Sequence, residues 1–128
     1  MLTCGEVLTY MLLVTYMLTY LMEMLSSPPP PNVTIVALCD VDFKEAKPTF
    51  DKYPKAKVYK DYRVMFKEIS DSIDAVIVST PDHTHAPVSL LAMELNKSVY
   101  CQKPLTHHVS EARAMKKLAD EKKLITQM

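Results

Sequence analysis

From residue 32 onward the chain alternates short apolar runs with amphipathic stretches. Residues 33–39 (VTIVALC) form a near-continuous β-branched run, as expected of a strand covered on both faces. The run ends in Asp40-Val41-Asp42. Asp42 and Glu45 then have capping-box spacing for a helix starting near Phe43, which Pro48 should kink or shorten. A brief strand is expected at 57–59 and a helix at 62–69. Residues 74–79 (DAVIVS) read as a second buried strand, followed by a polar turn with two histidines, Thr80 to His85. The next helix is expected near Pro87, since proline suits a first turn. Val88, Leu91, Ala92 and Leu95 share one stripe of it. Residues 98–101 form another strand. A last helix capped by Ser110 presents Ala112, Met115, Leu118 and Ala119 on one face, and residues 124–127 read as a final strand. Strands alternating with helices of this length build βαβ units and a mostly parallel sheet, so the fold class is α/β and Rossmann-like.

The first 31 residues follow a different pattern. Fifteen of the nineteen positions from 7 to 25 are apolar or tyrosine, and Glu23 is the only charged one. The segment repeats itself as LTYML, VTYML and LTYLM. No Lys or Arg precedes Lys44, so the basic region of a secretory signal is missing. The run is just long enough to span a bilayer, but three threonines and a glutamate interrupt it and no basic flank orients it. A core-packing apolar helix is the expectation, with a membrane anchor through residues 7–25 as the alternative. SSPPPPN at 26–32 ends any such helix. The expected organisation is therefore an apolar segment and proline-rich linker over 1–31, then a partial Rossmann-like domain over 32–128.

Composition adds limits. The 128 residues suit one domain, and a net charge of zero gives no electrostatic reason to expect nucleic acid or an anionic membrane. Three cysteines without framework spacing point to free thiols in a reducing compartment, hence the cytoplasm. The chain contains a single glycine, Gly5.

The candidate chemistry lies at the strand ends, where parallel α/β sheets bind ligands. Asp40 ends the first clear strand. An acid there can accept hydrogen bonds from an adenosine ribose and favours NAD over NADP, whose 2′-phosphate it repels; it can equally punctuate a turn. Thr80 and His85 follow the second buried strand and could touch a ribose or substrate hydroxyl, although the His85 ring could equally pack the helix start. His83 and His85 at i, i+2 lack a third fixed ligand, so no metal site is expected. Lys103, between a strand and Pro104, is the sharpest candidate. Its ammonium, partly desolvated beside a nicotinamide, would have a lowered pKa and could move a proton to or from a substrate hydroxyl. A solvated surface lysine is the plainer reading. Cys101 reads as a small buried apolar residue.

Taken together, VALCDVD, DAVIVSTPDHTHA, SVYCQKPLTH and SEARAMKKLADEKK resemble the Gfo/Idh/MocA (glucose–fructose oxidoreductase / inositol dehydrogenase) family from about residue 32 to 128. The resemblance implies a Rossmann domain binding NAD or NADP, normally followed by a second α/β domain. It implies an oxidoreductase that acts on hydroxyls of sugars and cyclitols, some relatives cleaving glycosidic bonds through a transient oxidation. By position it gives Asp40 the ribose, Thr80, Pro81 and His85 the cofactor-side loop, and Gln102-Lys103-Pro104 the family's Glu-Lys-Pro motif with Lys103 catalytic.

The departures are as informative. The glycine-rich phosphate loop should lie some 20 residues before Asp40, where the chain reads YMLLVTYMLTY. Without it cofactor binding should be weakened or lost. The fold's central first strand is also unaccounted for, unless part of residues 6–14 substitutes. Gln102 stands where the family carries glutamate. The catalytic second domain is missing, and a sugar or cyclitol substrate would need it. The expectation is a truncated or divergent member, inactive alone. Its rivals are a non-catalytic module, assembling with a related subunit or with itself through open sheet edges, and a membrane-tethered domain. Whether the chain is an enzyme stays open on sequence.

Overall fold

The computed structural model describes the backbone of residues 8–14 and the full residues 32–128. Six strands form one parallel sheet: β1 (Leu8–Val14), β2 (Val33–Cys39), β3 (Lys57–Tyr59), β4 (Ala75–Ser79), β5 (Ser98–Cys101) and β6 (Thr126–Gln127). Their spatial order is β3-β2-β1-β4-β5-β6. The helices are α1 (Lys47–Lys52), α2 (Tyr62–Ile69), α3 (Asp82–Glu94) and α4 (Val109–Lys122).

β1 sits in the centre, paired in parallel with β2 on one side and β4 on the other. This corrects the expected apolar helix over residues 7–25, because residues 8–14 of it are strand. The rest of that segment, and the proline run, lie outside the described residues. The physical reason is pairing. Val33–Cys39 and Ala75–Ser79 are both buried apolar strands, and each needs a hydrogen-bonded neighbour along its inner edge. LTYMLLV, rich in Tyr, Thr and Leu, satisfies both edges at once. No helix among the described residues is long and apolar enough to cross a membrane.

The core follows the strand alternation. Ala37, Cys39, Val76, Val78, Val99 and Cys101 join Met65, Phe66 and Ile69 of α2, Ala86, Val88, Ala92 and Met93 of α3 and Met115 of α4 in one buried cluster. Ile35 and Leu38 form a second cluster with Phe50 and Tyr53 at α1 and with Ile77. Ile35 and Leu38 can join the same cluster because the β1–β2 register skips Val36, a bulge that shifts the alternation by one residue. Val88 and Ala92 are buried in the stripe expected of α3, with Leu91 and Leu95 half-buried beside them. Ala112, Leu118 and Ala119 flank buried Met115 in the same way on α4.

Three helix starts differ from the expectation. Asp42 does cap the chain, its Oδ1 accepting from the N–H of Lys44 and Glu45 at 3.0 and 3.1 Å, but it caps a turn. α1 begins only at Lys47, so Pro48 occupies its first turn, where the missing amide costs nothing. α3 begins at Asp82 instead of near Pro87, and His83 and His85 are therefore helical. The Thr84 amide and hydroxyl both donate to the Pro81 carbonyl, at 2.9 and 2.8 Å, and close the first turn there. Pro87 then forfeits one amide donor inside a helix held by its buried face. α4 begins at Val109, one residue before Ser110. Glu111 Oε2 accepts from the His108 and His107 amides at 2.9 and 3.2 Å, ending the preceding loop earlier.

With no glycine after Gly5, left-handed positions fall to other residues: Asn32, Asn96 and Lys123 have φ of 77°, 61° and 55°. The asparagines are the residues best suited after glycine. Asn96 follows α3, and Lys122 from α4 donates to its Oδ1 at 3.0 Å and to the Glu94 carbonyl, tying the two helices together.

Candidate functional site

Because all the strand pairings are parallel, every strand delivers its last residue to one edge of the sheet. Asp40 follows β2, Thr80 and Pro81 follow β4, and Gln102 and Lys103 follow β5. Asp40 and Lys103 stand three strand spacings apart along that edge, roughly 14 Å. Asp40, Thr80, Pro81, Gln102 and Lys103 thus share one rim, and His85 lies just behind it.

At the β2 end an open cleft with a cavity volume of about 130 Å³ is lined by Cys39, Asp40, Val41, Lys60, Tyr62, Thr80, Thr84 and Val88. Asp40 is buried, at 4% exposure. Its Oδ1 accepts the Asp42 amide at 2.8 Å, and its own amide donates to the Tyr59 carbonyl at 3.0 Å. Burial raises its pKa above the ordinary 3.8, opposed by the Asp42 amide bond and reinforced by the Asp42 carboxylate. Thr80 Oγ1 is shielded and has no hydrogen-bond partner among the described residues. Val41 beside Asp40 is 72% exposed, an apolar side chain held in the open at the cleft. Lys60 Nζ lies 5.1 Å from the Phe43 ring centroid. Val41, Lys60 and Tyr62 carry no sequence signal for this cleft, whereas Thr84 belongs to the polar turn expected after β4. Lys60 and Tyr62 reach the cleft because β3 docks against β2.

At the β5 end the Lys103-Pro104 peptide is cis. The Lys103 amide donates to Gln102 Oε1 at 2.7 Å, and the Gln102 amide donates to the Val78 carbonyl at 2.8 Å. The Lys103 side chain is exposed, so any desolvation of its ammonium would have to come from a bound molecule or a covering domain. Gln102, in the place of a carboxylate, caps the Lys103 backbone.

His85 is 1% exposed. Its Nδ1 lies 2.7 Å from the Pro104 carbonyl oxygen and its Nε2 2.7 Å from the Thr80 carbonyl oxygen. Both partners are carbonyl acceptors, so the ring nitrogen that carries the N–H donates to the one it faces, the choice depending on the tautomer. The two thiols nearby are shut down. Burial pushes Cys39 up to about 12, helped by the Asp40 carboxylate, and Cys101 up to about 11. No group of three His, Cys, Asp or Glu among the described residues could hold a metal.

A parallel sheet in this order, with a carboxylate after β2 and a cleft at the carboxyl edge, defines a dinucleotide-binding α/β domain. A family model described as "Oxidoreductase family, NAD-binding Rossmann fold", that of the Gfo/Idh/MocA proteins, matches residues 18–128. The chain belongs to that family. It is 36% identical over 75 residues to an inositol 2-dehydrogenase of Salmonella typhimurium, covering 58% of this chain and 22% of the relative. It is 34% identical over 83 residues to the enzyme of that name from Rubrobacter xylanophilus, covering 65% and 23%. Among solved structures, an oxidoreductase from Agrobacterium radiobacter in complex with NAD+, L-tartaric acid and magnesium superposes with a TM-score of 0.81 at 22% identity, covering 94% of this chain and 34% of the other. GenD2 from gentamicin A biosynthesis, in complex with NAD, gives 0.80 at 22% identity over 95% and 34%. These structures share the fold. The chain spans less than a quarter of the length of those curated relatives.

Among the described residues, those at the β2 end suit the adenosine part of an NAD-type cofactor. Asp40, the unpartnered Thr80 hydroxyl and exposed Val41 suit an adenosine ribose and base. The residues that follow β1 in the chain read Thr15-Tyr-Met-Leu-Thr-Tyr20 and contain no glycine.

Proposed function

We propose that this chain is the nucleotide-holding part of a sugar- or cyclitol-directed oxidoreductase, which grips the adenosine end of NAD weakly and does not turn over by itself. The observation that carries this reading is the cleft at the β2 end, which a residue with a buried carboxylate, Asp40, and one with a shielded, unpartnered hydroxyl, Thr80, both line. Asp40 would accept from the ribose hydroxyls and, through its charge, favour NAD over NADP. Thr80 would offer its hydroxyl to the same ribose, and Pro81 would shape the loop beside it. Gln102 and Lys103 would stand at the nicotinamide end, with Lys103 holding or passing the proton of a substrate hydroxyl. NAD, when bound, supplies the hydride acceptor. Relatives named inositol 2-dehydrogenase, and one named D-glucoside 3-dehydrogenase from Escherichia coli, support a polyhydroxylated substrate. Holding that substrate calls for a covering surface beyond this single sheet edge, hence the lack of turnover.

The test is a thermal-shift titration of the full chain with NAD, NADP and adenosine at millimolar concentration. Stabilisation by NAD, nearly matched by adenosine and lost in Asp40→Ala, is expected. No shift with any of the three would overturn the reading.

A further inference from the structure

We infer that His85 is a positioning residue, a strap that sets the Lys103–Pro104 turn, and hence the Lys103 ammonium, against the Thr80 turn. The inference rests on the reading of Lys103 as the group nearest the reacting hydroxyl, but its geometry stands independently. β4 and β5 are neighbours, and their ladder runs out where the Gln102 amide donates to the Val78 carbonyl. Past that point the two chains part, one into α3 and the other into the loop before α4. His85 reaches back across the gap from the first turns of α3. Its two ring nitrogens engage the Thr80 carbonyl of one turn and the Pro104 carbonyl of the other, at 2.7 Å each.

The position is too enclosed for water to take over, since His85 is 1% exposed. Removing the ring would strand two carbonyl acceptors in a shielded place, the costly case for a hydrogen bond. Lys103 lies between two held groups: its amide donates to Gln102 Oε1, and the carbonyl of the next residue is the one His85 grips. Its side chain is exposed, and no ion pair to it is found among the described residues. The point from which the ammonium extends is therefore set through the backbone, which the imidazole holds. A histidine suits the place because its rigid ring sets one nitrogen toward each turn, with the N–H donating to one carbonyl. The ring is spent on backbone carbonyls and has no free polar atom for a cofactor.

NMR of two samples of the full chain tests this, one unsubstituted at residue 103 and labelled with nitrogen-15 for the amide signals, the other carrying a fluorine-19 tag at Lys103→Cys in a Cys4→Ser background. His85→Ala should move the fluorine signal and the amide signals of Thr80, Lys103 and Leu105, while those of Val41 and Lys60 stay in place. His85→Gln, which keeps one donor, should return part of the shift, and His83→Gln on the exposed neighbour should move none of them. A folded His85→Ala chain with unmoved Lys103 and Leu105 signals would overturn the inference, as would an equal displacement of every rim signal. If His85→Ala does not fold, the ring of the unsubstituted chain decides: a slowly exchanging ring N–H proton supports the strap, and its absence refutes it. Failure of NAD to bind would end the functional reading and leave this measurement untouched.

Discussion

Replacing Asp40 by Asn should push ligand affinity and stability in opposite directions. The carboxylate is 4% exposed and has a raised pKa, chiefly through burial, so the folded chain holds its proton more tightly than the unfolded chain does. The sign follows from linkage. Its contribution to stability is greatest in acid, falls as pH rises from 3.8 through the raised folded value, and is a standing cost at neutrality. Asn keeps an acceptor oxygen for the Asp42 amide, bonded at 2.8 Å in the native chain, and removes the charge. At pH 7 the variant should be as stable as the parent or more so, with the difference shrinking towards pH 4. Ribose hydroxyls donating to a carboxylate are worth about 1.5–3 kcal/mol, so NAD should bind roughly 10- to 150-fold more weakly. The parent's affinity should fall as acid protonates Asp40, whereas the variant's should be flat. Calorimetric titration and urea melts at the two pH values read both effects. Unchanged affinity together with lost stability would refute the argument and make Asp40 a turn residue only.

Met93→Ala removes a side chain with no exposure from the main cluster and should cost about 2–5 kcal/mol in urea unfolding. Cys39 and Cys101, with thiols pushed up to about 12 and about 11, should resist iodoacetamide at pH 8 in the folded chain and react once it is unfolded, as mapped by mass spectrometry. The same shifts mean that unfolded thiols ionise near 9 while folded ones do not, so stability should fall as pH rises above 9. Lys123→Gly, at a φ of 55° where α4 ends, should raise stability by about 1 kcal/mol in thermal melts, because glycine adopts that angle without a Cβ penalty.

The amino-acid order alone determined the α/β class, the family, and the rim on which Asp40, Thr80, Gln102 and Lys103 stand. Each is written locally: apolar β-branched runs specify covered strands, covered strands joined by helices run parallel, and parallel strands end on one edge. Tertiary structure alone decided three things. Residues 8–14, whose Leu, Met, Tyr and Thr suit helix or strand alike, became strand because two buried edges on either side required a partner. α3 started five residues before Pro87, because its buried face outweighs one missing amide. His85 turned inward to carbonyls that lie five and nineteen residues away along the chain. No period or spacing encodes that last choice, because the acceptors come together only when β4 and β5 dock side by side. A buried polar ring must bond to whatever docking brings within reach.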